Sequence, residues 1–359
     1  MKALICAVLS LVLLTGRAGA AQIPHTSAVS AVLMDADSGR ILYAKNADEP
    51  RLIASITKLM TALVALESGH APEEVVTVRP EWTGIEGSSL YLRAGEQLRL
   101  ETLLYGMLLR SGNDAAQAVA GYCGGDVGAF VKAMNAKTEE LGMENSHFAN
   151  PSGLNADGHY SSARDMAVLA RACLADPTLR RMVGTKSIAL EGRIFTNHNK
   201  LLWQYEGCIG LKTGYTEKAG RTLVSAAQRN GMTLICVTLS APNDWQDHAA
   251  LFDYGFGLYE RRCLAEAGER LCRIPVSGSL IPFCSLGVQE PVWAALTVDE
   301  PVQFTAVVPE GRLHTPVSVG DTVGEGIFTL NGQEIARCPL VVLQDIPKNT
   351  APTKTGLFH

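Results

Sequence analysis

Five side chains of this sequence could together transfer an acyl group through a serine ester. Ser55 stands three residues before Lys58, Ser111 stands two residues before Asn113, and Lys212 opens a Lys-Thr-Gly string. A serine hydroxyl is barely ionised at neutral pH, so it needs a base beside it before it can attack a carbonyl carbon. Positions i and i+3 share one face of a helix, which would place Lys58 next to the Ser55 hydroxyl. The spacing therefore predicts a serine nucleophile with a lysine base.

The other members of the set would serve the same reaction. A basic Lys58 must be neutral part of the time, which burial or a nearby like charge such as Lys212 would achieve by lowering its pKa. The Ser111 hydroxyl would relay a proton between Lys58 and the leaving amine, and the Asn113 amide would hold a substrate carbonyl. A Ser55 at a helix N-terminus would also direct free backbone N–H groups towards a developing oxyanion.

The Lys-Thr-Gly string occurs twice. At the end of a β-like run, Lys212 would supply positive charge, Thr213 a hydroxyl for a substrate carboxylate, and Gly214 room for substrate beside the strand. Lys354 begins the second copy, in the tail, where Pro352 precedes it and no strand pattern is present. The local pattern favours Lys212. Each string alone is also typical of ordinary helix caps and solvated charges, so the prediction depends on all three together.

The elements that must position these groups follow from the apolar pattern. Residues 28–45 predict a hairpin, and helices are predicted from Ser55 to Gly69 and at 98–110, 128–142 and 162–175. After about residue 185 the pattern becomes β, with a tight turn at 229–231 and a final helix from Asp244 to Phe256. Strands at both ends of a helical middle predict an α+β domain with an antiparallel sheet.

Four segments are expected along the chain. Residues 1–20 are typical of an export signal, with a short apolar run and a small-residue cleavage site at 18–20. Residues 21–258 form the predicted catalytic domain, and 262–345 show short alternating runs typical of a small β-sandwich-like domain. Residues 346–359 are a polar tail without an amphipathic or apolar anchor. We therefore expect an exported protein, in the periplasm, in the cell wall or secreted, whose tail provides no membrane anchor.

Composition limits the possible partners. The net charge is -5, and loss of Lys2 and Arg17 with the signal would make it -7, so nucleic acid is not an expected partner. Eight cysteines would remain, which permits disulfides, with the last four (Cys263, Cys272, Cys284 and Cys338) the best candidates for at least one bridge. No Cys or His spacing is typical of a metal site, and we expect no metal and no cofactor.

With these motifs in place, the chain resembles the low-molecular-mass penicillin-binding proteins that act as serine D-alanyl-D-alanine carboxypeptidases. Matching segments also lie at 150–154, 159–165, 199–202 and 210–216. The resemblance implies a penicillin-binding, serine β-lactamase-like fold, with an antiparallel sheet and a helical cluster, followed by the small all-β domain. It implies removal of the terminal D-alanine from peptidoglycan stem pentapeptides, β-lactams as inhibitors, and a role in cell-wall synthesis and cell shape. It also implies an oxyanion hole made by the backbone N–H groups of Ser55 and Tyr215.

One departure from that family concerns His198, which stands where some relatives place an arginine that helps to seat the substrate carboxylate. His198 could share that role, or Lys212 and Thr213 could suffice. Structural bracing is the expected role of His159 and a possible one for Asp165, and helix capping is the expected role of Asp114. We expect a monomer.

Three other functions share parts of this pattern. A class A serine β-lactamase needs a glutamate that activates the deacylating water. The candidates Glu139, Glu140, Glu144 and Glu191 lie in no Glu-x-x-Leu-Asn string. A poorly catalytic peptidoglycan-binding protein would not need an intact nucleophile and base. A transpeptidase or endopeptidase shares the acyl-enzyme and differs in the acceptor, which the sequence does not specify.

Overall fold

The computed structural model describes residues 23–349, so the proposed export signal and the second Lys-Thr-Gly string at Lys354 lie outside the described residues. The helices are α1 (Lys58–Glu67), α2 (Leu100–Leu109), α3 (Asn113–Cys123), α4 (Val127–Leu141), α5 (Ala163–Ala175), α6 (Pro177–Gly184), α7 (Leu201–Gln204) and α8 (Asp244–Leu258). The strands before α8 are β1 (Ser30–Asp35), β2 (Ile41–Lys45), β3 (Val75–Thr77), β4 (Gln97–Arg99), β5 (Ser187–Leu190), β6 (Arg193–Thr196), β7 (Cys208–Thr216), β8 (Gly220–Arg229) and β9 (Met232–Leu239). The strands after α8 are β10 (Glu260–Ala265), β11 (Arg270–Ser277), β12 (Phe283–Gly287), β13 (Val292–Leu296), β14 (Gln303–Val307), β15 (Leu313–His314), β16 (Thr322–Leu330) and β17 (Gln333–Val342).

A five-stranded antiparallel sheet forms the centre of the first domain. Its order is β2-β1-β9-β8-β7, so strands from both ends of the domain meet in one sheet. Alternate side chains pack on opposite faces. Val224 and Val237 belong to the core shared with the helical cluster, whereas Leu223 and Leu234 pack with Phe252 of α8. Both faces are covered, which explains why β9 is buried at every position.

Strand β7 is one edge of this sheet, and its Lys-Thr-Gly segment lies beside the turn that carries Ser55. A Cβ atom on Gly214 would lie 2.9 Å from the backbone nitrogen of Ser55 and 2.4 Å from the Thr222 hydroxyl oxygen. Only glycine allows the two backbones to approach this closely.

The start of the first helix differs from the sequence prediction. Ser55 lies in a short 3-10 turn, Ala54–Thr57, and α1 begins at Lys58. Ala54 has a positive φ of 50°, which few non-glycine residues adopt, and this bends the chain sharply just before the serine. The hairpin turn was predicted correctly: Asn230 and Gly231 have φ values of 49° and 79°, as a two-residue turn with positive φ requires.

The second domain is all-β, as expected. Its main sheet has the order β14-β16-β17-β12-β11-β15, and β10 pairs separately with β13. None of the disulfides that the sequence permits is formed in this structure, because all eight cysteines between residues 23 and 349 are free. Cys284 and Cys338 are instead buried as thiols in two apolar clusters, where a cysteine packs as a small apolar side chain.

Polar contacts join the two domains. Arg40, at the start of the β1–β2 return, donates two hydrogen bonds of 2.6 and 2.7 Å to the Glu300 carboxylate and a third to the Ala295 carbonyl. The backbone N–H of Ala295 in turn donates to buried Asp35 at 3.0 Å. The sheet that carries the catalytic motifs is thereby tied to the β domain at the end remote from β7.

Candidate active site

The turn that carries Ser55 is supported from below by a loop whose glycine is sterically required. A Cβ atom on Gly153 would lie only 2.0 Å from the Ala54 carbonyl oxygen, and Gly153 has a φ of +87°. The Asn150 side-chain oxygen fixes this loop by accepting hydrogen bonds from the backbone N–H groups of Ser152 and Gly153. The segment 150–154 therefore shapes the turn that carries Ser55.

Lys58 lies at the centre of a buried hydrogen-bond network. Its Nζ donates to Ser55 Oγ at 2.9 Å, to Asn113 Oδ1 at 2.8 Å and to the Ser152 carbonyl oxygen. A protonated lysine has three N–H donors, and here three acceptors surround it. The side chain is fully buried. The amine is thus held against the serine hydroxyl with one fixed geometry.

The surroundings of Lys58 favour its neutral form. Burial is the main reason that its pKa lies well below the usual range, the positive charge of Lys212 lowers it further, and the carboxylate of Asp114 acts in the opposite direction. A neutral amine has only two N–H donors, so in this form the Ser55 contact reverses: the hydroxyl donates to the amine lone pair, which can then accept its proton.

Asn113 is the first residue of α3 and is held at both ends of its amide. Its Oδ1 accepts from Lys58, and its Nδ2 donates to the Glu86 carbonyl oxygen at 2.7 Å. Ser111 precedes it with a φ of +63° and is mostly buried. Asp114, the second residue of α3, accepts a hydrogen bond from the Ala115 N–H at 2.8 Å, so it satisfies one donor of the first helical turn, although Gly112 occupies the cap position. Its carboxylate also accepts from the N–H groups of Leu90 and Leu92 and so holds the neighbouring loop.

Lys212 is also buried, on the face of β7 that meets the helical cluster. Its Nζ donates to the Thr213 carbonyl oxygen at 2.9 Å, and burial lowers its pKa to about 7. Thr213 and Tyr215 alternate with Lys212 and therefore point to the other face of the strand. Tyr215 is 64 % exposed.

A cleft of about 480 Å³ opens over these groups. Of the residues selected from the sequence, the cleft is lined by Ser55, Ser111, Thr213, Gly214 and Tyr215, together with His198. Lys58, Asn113 and Lys212 lie behind its surface, each at most 4 % exposed. The structure thus brings all of them into one site arranged in a buried layer and a cleft-facing layer.

Sequence reasoning missed several residues of this cleft. They are Ser88, Asn197, Arg221, Asp244 and Trp245, and Lys200, which lies in the matching segment 199–202 but was given no role. Arg221 could have been found, because only a short connection joins β7 to β8 and so places residue 221 opposite residue 215. Asp244 and Trp245 open α8 and reach the cleft through tertiary packing, which no local pattern reveals.

His159 and Asp165 brace the structure, as expected for His159. Burial, with smaller contributions from the charges of His147 and Lys58, lowers the pKa of His159 to about 4. Its Nδ1 accepts from the Ala149 N–H at 3.1 Å, so Nε2 carries the proton and donates to Thr57 Oγ1 at 2.8 Å. The carboxylate of Asp165 accepts hydrogen bonds from the 145–146 turn. Both side chains fix loops around the turn that carries Ser55.

None of the four glutamates considered for a β-lactamase lines the cleft. Glu139 and Glu144 line a separate surface depression beside the end of α4, and Glu191 accepts from the Arg99 N–H. A larger cavity of about 690 Å³ lies between the two domains, lined by arginines such as Arg40 and Arg337 and by none of the residues that line the cleft. Cavity volume therefore does not identify the candidate active site, whereas the types and arrangement of its side chains do.

Comparison with known proteins agrees with this geometry. The family model described as D-alanyl-D-alanine carboxypeptidase matches residues 17–243, and the C-terminal domain of penicillin-binding protein 5 matches residues 259–348. The chain belongs to the D-alanyl-D-alanine carboxypeptidase family. It is therefore a serine-type carboxypeptidase with a penicillin-binding-protein fold.

Individual relatives cover most of both chains. D-alanyl-D-alanine carboxypeptidase DacA of Escherichia coli (strain K12) is 36% identical over 343 residues, which are 91% of this chain and 85% of that protein. DacF of Bacillus subtilis is 31% identical over 89% of this chain and 86% of its own length. Penicillin-binding protein 5 of Haemophilus influenzae superposes with a TM-score of 0.78 at 30% identity and covers 91% of this chain and 99% of the solved chain.

The helices and side-chain clusters of residues 23–349 bear on membrane insertion and on metal binding. None of the helices found there has the length and apolar character needed to span a bilayer. Nor does this part of the chain gather three or more His, Cys, Asp or Glu side chains into a cluster that could hold a metal ion.

Proposed function

We propose that Ser55 is the nucleophile by which this carboxypeptidase removes the terminal D-alanine from peptidoglycan stem pentapeptides. Lys58 is the general base, and Ser111 relays its proton to the leaving group. Asn113 positions the substrate, and Lys212 and Thr213 provide charge and a hydroxyl near its carboxylate. Gly214 and Tyr215 supply the strand edge along which the peptide lies.

The reaction has two stages, formation of a Ser55 ester and its hydrolysis by water. Neutral Lys58 takes the Ser55 hydroxyl proton as Oγ bonds to the carbonyl carbon, and the oxyanion is met by the backbone N–H groups of Ser55 and Tyr215. The proton passes through Ser111 to the amine of D-alanine as the peptide C–N bond breaks. Water then attacks the Ser55 ester and releases the shortened peptide, with Lys58 as base again.

The observation that carries the proposal is the hydrogen bond of 2.9 Å between Lys58 Nζ and Ser55 Oγ inside a fully buried network. A solvated lysine on a helix surface would remain protonated at neutral pH and could not act as base. Burial beside a second lysine is the environment that general-base catalysis by lysine requires.

The setting proposed for this reaction is outside the cytoplasm, where peptidoglycan lies. The support is the export-type sequence of residues 1–20 and the family's action on peptidoglycan. On this proposal the mature chain begins at Ala21, acts as a monomer and contributes to cell-wall shape.

Intact-mass spectrometry with benzylpenicillin tests both parts of the proposal. The exported wild-type protein should have a mass that starts at Ala21, and it should gain the mass of one penicilloyl group. Ser55→Ala, which keeps the fold because it removes only one oxygen, should gain none. A stable adduct on Ser55→Ala would show that another residue is the nucleophile. Consumption of the drug without a lasting adduct on the wild type would favour a β-lactamase.

A further inference from the structure

The cleft contains one guanidinium that the motifs do not include. Arg221, the second residue of β8, pairs across the sheet with Tyr215 of β7. Cross-strand partners project from the same face of a sheet, so the Arg221 side chain lies on the face of Thr213 and Tyr215. All three residues line the catalytic cleft.

A buried carboxylate holds this guanidinium in place. Asp244, whose side chain is 2 % exposed, pairs with Arg221 Nη2 at 2.8 Å, and the Trp245 ring lies with its centroid 5.4 Å from the guanidinium carbon. The Arg221 side chain itself is 41 % exposed. A guanidinium has five N–H donors, and Asp244 engages one of its nitrogens, so donors remain for an anion in the cleft.

The lysine of the Lys-Thr-Gly string is poorly placed for a full ion pair with substrate. Lys212 is 1 % exposed, and burial lowers its pKa to about 7, so it is only partly charged near neutral pH. The charged form of His198 is also disfavoured, because burial and the charges of Lys212 and Arg110 lower its pKa. Lys200 lines the cleft as an exposed point charge, which cannot make the paired, planar contact of an arginine with a carboxylate.

We propose that Arg221 binds the C-terminal carboxylate of the substrate, with Thr213 beside it and Asp244 as its positioning residue. The inference rests on the proposed function, because a carboxypeptidase must recognise a free carboxylate next to the bond that it cleaves. With a guanidinium as the ligand, recognition of the carboxylate would not depend on the protonation of Lys212.

The test compares two peptides that differ only in this charge. They are diacetyl-L-lysyl-D-alanyl-D-alanine and the same peptide with a C-terminal amide, and the readout is kcat/KM for release of the last residue. The wild type should prefer the carboxylate. Arg221→Gln should lower kcat/KM for the carboxylate peptide about 10- to 100-fold and for the amide less than about threefold. Arg221→Lys should retain part of the preference.

A matched control lies at the other end of the same strand. Arg229 likewise pairs with a carboxylate of α8, Asp253, and stacks on an aromatic ring, that of Tyr205, but it does not line the cleft. Arg229→Gln should keep the wild-type preference for the carboxylate.

Two outcomes would overturn the inference while the wild type remains active. In one, Arg221→Gln loses the same factor on both peptides, as a general structural defect would produce. In the other, its preference for the carboxylate is unchanged. A wild type that cleaves neither peptide and forms no Ser55 adduct would overturn the proposed function as well, which separates the two failures.

Discussion

The buried layer and the cleft-facing layer of the site differ in how far their surroundings favour charged side chains. Lys58 and Lys212 are at most 1 % exposed and share a helix-facing interior with Asn113. Arg221 and Tyr215 lie across the same strands but face the solvent-filled cleft. The two layers are separated by little more than the thickness of β7, and alternation along the strand decides which residue belongs to which layer.

This difference suggests a division of labour. Removal of water disfavours the charged form of a lysine, so the buried layer contains amines that can exchange protons near neutral pH. An arginine in the cleft remains solvated, and it can bind an anionic substrate without a change of protonation. Proton transfer would belong to the interior and recognition of the substrate's charge to the surface.

The largest effect is expected from Lys58→Met, which keeps most of the side-chain volume and removes the base. Acylation by benzylpenicillin should slow by about 10²- to 10⁴-fold, the usual contribution of general-base catalysis. The second-order rate constant for adduct formation, followed by mass spectrometry, measures it.

Lys137→Met is the control for loss of a lysine within the helical cluster, because Lys137 pairs with Glu67 and Glu140 on the surface of α4. It should acylate at the wild-type rate. If Lys58→Met acylates within tenfold of wild type, the buried layer does not supply the base.

The second prediction concerns the cost of burying Lys212. Its pKa is about 7 in the folded protein against 10.5 for the unperturbed side chain, so between these values the unfolded chain binds more protons. The unfolding free energy of the wild type should therefore rise with pH across this range. Lys212→Met removes that contribution and should be more stable than wild type by roughly 2–5 kcal/mol at pH 6, and by little at pH 10.

Urea unfolding of the two proteins at a series of pH values measures the difference between their unfolding free energies. The contributions of the other titrating groups largely cancel in this difference. Lys58 adds to it in the same direction, because loss of the Lys212 charge relieves the repulsion that lowers the Lys58 pKa. A stability difference that stays constant from pH 6 to pH 10 would mean that Lys212 is charged in the folded state at all these values.

The sequence was sufficient for the main sheet, for most of the longer helices and for the short strings that hold the candidate site residues, but it did not predict α6 or the β3–β4 pair. Ser55, Lys58, Asn113 and Lys212 occur in short strings, and each string sits at a helix start or a strand end that the apolar pattern reveals. The antiparallel sheet follows from hairpins such as the one closed at Asn230 and Gly231.

The features of the fold and the site that the sequence did not predict depend on contacts between distant segments. The 3-10 turn at Ser55 requires a positive φ at Ala54, and this conformation is supported by Gly153, which lies a hundred residues away. The Arg221 site needs the register of β7 on β8 together with the start of α8. Propensity and periodicity describe single elements, so they do not report where two elements touch.

The smallest effect is expected from Tyr215→Ala, and it contrasts with a much larger effect from removal of the Tyr215 backbone N–H. The side chain is 64 % exposed, and the proposed oxyanion contact uses only the backbone N–H, so Tyr215→Ala should change kcat/KM by less than about threefold. Tyr215→Pro removes that N–H at an edge strand, where proline is best tolerated, and should cost about 10²-fold or more in kcat. Circular dichroism and thermal melting check that β7 is intact in both variants. A large loss of kcat/KM in Tyr215→Ala would mean that the tyrosine ring itself contacts the substrate. The cleft-facing layer would then recognise more of the peptide than its charge.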